Sequence, residues 1–95
     1  MRIAKFVWLE EIEEKIIRRH DVQPFEAEEA FFNRPLFRFM ERGQRKGEDV
    51  YAVHGRTQAG RYLTVFFIHK TGGDALIISA RDMTDRERKL YARHV

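Results

Sequence analysis

Residues 50–81 read VYAVHGRTQAGRYLTVFFIHKTGGDALIISAR, and the fold turns on how this stretch divides. Val50 to Arg56, Arg61 to His69 and Ala75 to Arg81 are rich in β-branched and aromatic residues with a period of two, as strands are. Gln58-Ala59-Gly60 has the form of a three-residue hairpin loop with glycine in the left-handed position, and Gly72-Gly73 that of a two-residue turn. Turn geometry fixes which residues face one another across a hairpin. The first loop pairs Thr57 with Arg61, hence Val53 with Val65 and His54 with Thr64. The second pairs Thr71 with Asp74, hence Phe67 with Ile78 and Thr64 with Arg81. One face of the three strands then holds Tyr51, Val53, Leu63, Val65, Phe67, Leu76, Ile78 and Ala80, all apolar or aromatic and fit to receive helices. The other holds His54, Arg56, Tyr62, Thr64, Phe66, Ser79 and Arg81, with His54, Thr64 and Arg81 in a row. A four-residue first loop would mix His54 and Arg56 into the apolar face and set Arg56 against Arg61, an unfavourable pair of like charges.

Working outward, Leu36, Phe37 and Phe39 begin a further strand after Pro35, ending before a polar loop from Arg42 to Asp49. Upstream, Ile3 to Trp8 reads as a short strand. Glu10 to His20 reads as a helix, with Leu9, Ile12, Ile16 and Ile17 on one side, acids at its start and Arg18, Arg19 and His20 at its end. Pro24 opens a second helix to about Phe32, and Thr84-Asp85-Arg86-Glu87 is a capping box opening a last helix through Tyr91. Phe31, Phe32, Phe37, Phe39, Phe66 and Phe67 are assigned mostly to the core. The order β-α-α-β-β-β-β-α makes this an α+β chain with a mainly antiparallel sheet packed on helices.

The 95 residues suit a single domain, 1–95, and 43% apolar with 35% charged residues is a globular balance. No apolar run reaches the roughly 18 residues of a membrane span, and no signal-peptide pattern opens the chain. Cysteine is absent, which excludes disulfides, thiolate nucleophiles and zinc–thiolate sites, and a small chain folding without staples fits a cytoplasmic setting. Charge is uneven. Residues 1–33 carry five Lys/Arg against eight Asp/Glu (−3), and residues 34–95 carry thirteen against seven (+6), so the sheet half is the basic half. A basic sheet suits a polyanion.

A face bearing imidazole, guanidiniums, a phenol and hydroxyls fits phosphodiester chemistry. Cleaving RNA through its own 2′-hydroxyl needs in-line positioning, a proton acceptor, charge stabilisation at phosphate and a proton for the leaving oxygen. Arg56 and Arg81 suit the phosphate, His54 suits proton transfer near neutral pH, and Tyr62 suits base stacking or proton donation. The plainer reading of the same residues is a surface histidine and arginines paired with Asp82, Asp85 or Glu48. His20, His54, His69 and His94 lack a zinc-binding spacing, so neither metal nor cofactor is expected.

The order of motifs resembles that of the BrnT toxin family, small ribonucleases of bacterial type II toxin–antitoxin systems with a RelE-like fold. The resemblance runs from about Phe6 to Tyr91. It rests on Phe6-Val7-Trp8, Arg19-His20-Asp21-Val22, Pro24-Phe25-Glu26, Gly47-Glu48, His54-Gly55-Arg56-Thr57, Gly60-Arg61, Ile77-Ile78-Ser79-Ala80-Arg81, and Arg86-Glu87-Arg88 with Tyr91. The chain departs from the family pattern at Leu9, where relatives have Asp, at Asp21, where they have Gly, at Leu76, often basic, and near Ile68, usually polar. The resemblance implies a metal-independent endoribonuclease acting on mRNA, inhibited by a BrnA-like antitoxin. DNA would be met only indirectly, through the antitoxin, and no membrane is involved. It further implies Arg56 and Arg81 as transition-state stabilisers and Glu48 and His20 as acid/base or positioning groups. His54 joins the catalytic set from the register above, and Arg61, Tyr62, Thr64 and His20 form the substrate-binding set. The alternative is a catalytically degenerate module of the same fold that binds RNA or a partner.

Overall fold

Acids at its start and bases at its end suit residues 10–20 to a helix dipole, and α1 runs over Glu10–His20 in the computed structural model, which describes residues 1–95. Its C-cap Asp21 is left-handed at φ 52°, and the N–H groups of Asp21 and Val22 donate to the carbonyls of Ile17 and Ile16. That conformation is one glycine adopts freely and aspartate tolerates. The N-cap Leu9 offers no side-chain acceptor. Helix α2, Pro24–Glu29, has proline in its first turn and a Gln23/Glu26 capping box.

This second helix stops short of the expected Phe32 because the chain turns there to meet the sheet. Ala30 lies with its backbone against Gly55, where any Cβ would collide with the Ala30 carbonyl, and the Asn33 carbonyl accepts from the Arg56 N–H. The strands are β1 (Phe6–Val7), β2 (Leu36–Glu41), β3 (Asp49–Arg56), β4 (Tyr62–His69) and β5 (Ala75–Asp82). They form one sheet in the order β1-β5-β4-β3-β2, with β1 parallel to β5 and every other pair antiparallel. The expected first strand, Ile3 to Trp8, contracts to its two paired residues.

The first hairpin has the expected register: Val53 faces Val65, His54 faces Thr64, and Gly60 is left-handed at φ 95°. The second does not begin as expected. The Lys70 N–H donates to the Asp74 carbonyl, and Gly72 and Gly73 both take positive φ, so the loop has three residues and Phe67 faces Ile77 rather than Ile78. A bulge then absorbs one residue of β5 and restores the pairing of Thr64 with Arg81. Ala75 and Ile77 therefore enter the core in place of Leu76 and Ile78, which are half-buried.

Ile16, Val22, Ala27, Ala30 and Phe31 from the α1/α2 side pack on Val53, Leu63, Val65, Phe67, Ala75, Ile77 and Ala80 of the sheet. Phe31 lies 4.9 Å, centroid to centroid, from Phe67. Phe32 and Phe39, expected inside, are 71% and 54% exposed. Phe39 lies on β2, whereas α1 packs chiefly on β5, three strands away, and Phe32 lies in the turn after α2 with its ring edge-on to Phe6. The last helix, α3 (Asp85–His94), starts from the Thr84–Glu87 capping box and crosses the opposite face, burying Tyr91.

Candidate functional site

The register sets His54, Thr64 and Arg81 side by side on β3, β4 and β5, and α3 closes over them through Glu87. Arg38 Nη1, from β2, lies 3.3 Å from His54 Nε2. A guanidinium has only protons to give, so Nε2 accepts and Nδ1 carries the imidazole proton. That proton is donated to Thr64 Oγ1 at 2.8 Å, and the Thr64 hydroxyl donates to Glu87 Oε1 at 3.0 Å. Arg81 grips the same carboxylate with two bonds, 2.7 Å to Oε1 and 2.9 Å to Oε2. The result is a one-way chain, Arg38 to His54 to Thr64 to Glu87, ending on a carboxylate that Arg81 neutralises.

Partial burial pushes the Glu87 carboxyl up, but Arg81, the Thr84 N–H and the Thr64 hydroxyl outweigh it and hold the group down at about 2. Burial lowers the His54 pKa. Glu87 opposes this, while Arg38 and Arg81 reinforce it, so the ring is neutral near pH 7. His54 and Thr64 are both 0% exposed. The row expected to face solvent is thus assembled as expected but lies under a helix. Sequence periodicity separates the two sides of a sheet without saying whether a helix outside the hairpins will cover one.

Two residues along β3, Arg56 is half-buried at the edge of α3, in a recess of about 140 Å³ that it lines together with Arg34, Tyr62, Arg88, Tyr91, Ala92 and Val95. The Arg56 and Arg88 guanidiniums lie 4.6 and 4.0 Å from the Tyr62 ring centroid. The ring therefore carries cations, which leaves it poorly placed as the expected stacking surface for a base, and it orients both cations instead. Arg56 Nε is buried without a partner. The Tyr91 hydroxyl donates to the Arg34 carbonyl at 2.7 Å, tying α3 to a residue two before β2 that is itself left-handed at φ 55°. The protein's ion pairs are Arg61–Glu26, Arg61–Asp82, Lys70–Glu48 and Arg81–Glu87, so none of the three arginines here has a carboxylate partner.

On the other flank of α3 lies a larger cleft, about 380 Å³, lined by Arg38, Thr84, Arg86, Glu87, Leu90 and Arg93. Its three arginines are likewise outside every ion pair.

Three candidates stand apart. Arg61 reaches the α1 side, donating to Asp82, to Glu26 and to the carbonyls of His20 and Asp21. It ties the end of α1 to β5, and the bond to Asp82 raises its own pKa and lowers that of Asp82. His20 is the backbone acceptor in that arrangement. Glu48 sits in the β2–β3 loop, 3.9 Å from Lys70. The structure thus gathers His54, Arg81 and Thr64 beneath α3 and Arg56 and Tyr62 beside it, and leaves Arg61, His20 and Glu48 elsewhere. Arg34, Arg38, Arg86, Arg88 and Arg93 complete the basic face. Their signal is the pair Arg34 and Arg38, before and on β2, with arginines two or seven apart on α3, which share a side of the sheet once α3 is laid there.

Unpaired guanidiniums crowded on one sheet face give this α+β protein a basic surface of the kind that suits a polyanion. The chain matches, over residues 8–87, the family described as "Ribonuclease toxin, BrnT, of type II toxin-antitoxin system", and it belongs to that family. A toxin and ribonuclease assignment follows at family level, and with it an antitoxin partner. No curated protein matches the chain. No helix is long and apolar enough to cross a membrane.

Proposed function

We propose that this toxin is a metal-independent endoribonuclease that cuts mRNA in the Arg34–Arg56–Arg88 recess. The observation that carries the reading is the convergence of two guanidiniums, Arg56 and Arg88, on Tyr62 in a recess that Arg34 also lines, with none of the three arginines in an ion pair. Arg56 and Arg88, stacked on one ring, are oriented to clasp a phosphate that gains charge as the 2′-oxygen attacks phosphorus in line and the P–O5′ bond breaks. The products are a 2′,3′-cyclic phosphate and a free 5′-hydroxyl. The Tyr62 hydroxyl is the recess group suited to give its proton to the leaving O5′, while water on the opposite side of phosphorus takes the proton of the 2′-hydroxyl and the phenol is then reprotonated from solvent.

His54 is fully buried under α3, and Arg81, whose side chain is 29% exposed, holds the Glu87 carboxylate with two bonds, so in this reading the two residues keep α3 and β2 in place. The order of elements is consistent with a RelE-like fold. The family also supports a BrnA-like antitoxin as the inhibitor, with DNA met only through it.

Purified protein incubated with mRNA in excess chelator should yield fragments ending in cyclic phosphate, and Arg56→Gln should reduce the rate at least a hundredfold. Cleavage that stops in chelator, or survives in Arg56→Gln, contradicts the reading. The burial of His54 favours one other reading, a degenerate module that binds RNA without cutting it. That reading requires RNA binding with no products at any enzyme concentration.

A further inference from the structure

We propose that the cleft between β2 and α3, lined by Arg38, Arg86 and Arg93, binds a second backbone phosphate of the RNA strand whose scissile phosphate lies beside Arg56. This rests on the reading above and adds a separate site to it. The cleft is cationic in effect as well as in composition. Its one carboxylate, Glu87, is spent on Arg81, Thr64 and the Thr84 N–H, which leaves three guanidiniums with no counter-charge.

Arg38 is also held in place. Its Nη1 contacts the bare Nε2 of a buried, neutral imidazole, so its orientation is fixed while its charge stays available. A carboxylate in the place of His54 would fix Arg38 equally well but cancel its charge. This gives the His54–Thr64–Glu87 chain a purpose that a catalytic histidine would not share: it positions an arginine for a ligand.

Arg86 and Arg93 are two turns apart on α3 and both are exposed, with Leu90 between them as an apolar contact for a sugar or base. The cleft's volume of about 380 Å³ exceeds that of the Arg56 recess. Both cavities flank the same helix, whose full width with side chains is about 10–12 Å. A single strand laid across α3 can therefore meet both, whereas a small anion can meet only one.

The test uses the full chain and a 2′-O-methyl RNA oligonucleotide of about ten nucleotides, which lacks the attacking hydroxyl, with affinity measured across a potassium chloride series. For single strands, log K falls against log salt with a slope of about −0.7 per phosphate neutralised. Arg86→Gln/Arg93→Gln should weaken binding about tenfold at low salt and flatten the slope by about 0.7, as loss of one phosphate contact requires. Both residues are exposed and outside every ion pair, and a melting curve verifies the fold. Arg38→Gln should produce a similar loss. A slope equal to wild type in the double variant overturns the second site, even where Arg56→Gln abolishes cleavage and upholds the first. The reverse pattern, a flattened slope in the double variant with cleavage intact in Arg56→Gln, keeps this site and removes the other reading.

Discussion

The two faces of the sheet are closed by opposite chemistry. Towards α1 and α2, Phe31, Phe67, Ile16, Ile77, Leu63 and the valines exclude water, and that association is non-directional and insensitive to protonation. Towards α3, closure depends on Tyr91, a capping box and a hydrogen-bonded chain from Arg38 to Glu87, in which each member needs its partner in one charge state. Stability resides on the first face, and the unpaired cations available to a ligand reside on the second. A chain this short has few residues with which to do both on one face, and it divides them.

That division breaks most visibly under core truncation. Phe67→Ala removes the ring between Phe31, Phe37 and Tyr51 and should cost about 3–5 kcal/mol, a large part of a small domain's stability. Urea unfolding should show the loss, and a change under 1 kcal/mol would contradict the assignment of the core. Glu87→Gln acts on the other face and should cost about 1–3 kcal/mol, because Arg81 and Thr64 lose a charged acceptor. Hydrogen exchange should then quicken across α3 while the amides of Leu63 to Phe67 stay protected. Equal quickening in both would show that the faces are not separable.

Acid should sharpen the same contrast. A histidine whose folded pKa lies below the ordinary 6.5 binds its proton more readily in the unfolded chain, so its contribution is lost as pH falls from 6.5 towards the lowered value. Glu87, held at about 2 against an ordinary 4.5, supplies stability that is whole above 4.5 and gone once pH falls through about 2. Both act in one direction, so melting temperature should decline from neutral pH downward, and His54→Gln should flatten the upper part of that decline. The smallest effects belong to the ends of α1. Leu9→Asp supplies the missing N-cap acceptor and Asp21→Gly relieves a left-handed residue, each raising stability by about 0.5–1 kcal/mol in a thermal melt.

The extent to which the sequence disclosed this arrangement follows from the range of each interaction. The Thr57–Arg61 loop, the His54–Thr64–Arg81 row and the Thr84–Glu87 capping box are local or set by one turn, and they are legible in the sequence. The Gly72-Gly73 turn was misjudged by one residue, since a bulge at Phe66/Phe67 can compensate on the far strand and leaves no mark on the pattern of apolar residues. Phe32 and Phe39 have core-like chemistry, but the exposure of Phe39 depends on α1 lying over β5 and that of Phe32 on where α2 ends. The covering of His54, and the removal of Arg61 to the other face, likewise depend on contacts more than 20 residues apart in the chain.

The central claim is that the arginines beside α3, and not those on the α1 side, carry RNA cleavage. It is tested most directly by comparing initial rates of Arg56→Gln and Arg61→Gln on one RNA in chelator, at a temperature where both are folded. Arg56→Gln should lose at least a hundredfold in rate while Arg61→Gln, which severs ties to the end of α1, to Glu26 of α2 and to Asp82 of β5, stays within about threefold of wild type. An equal loss in the two, or the larger loss in Arg61→Gln, contradicts the account.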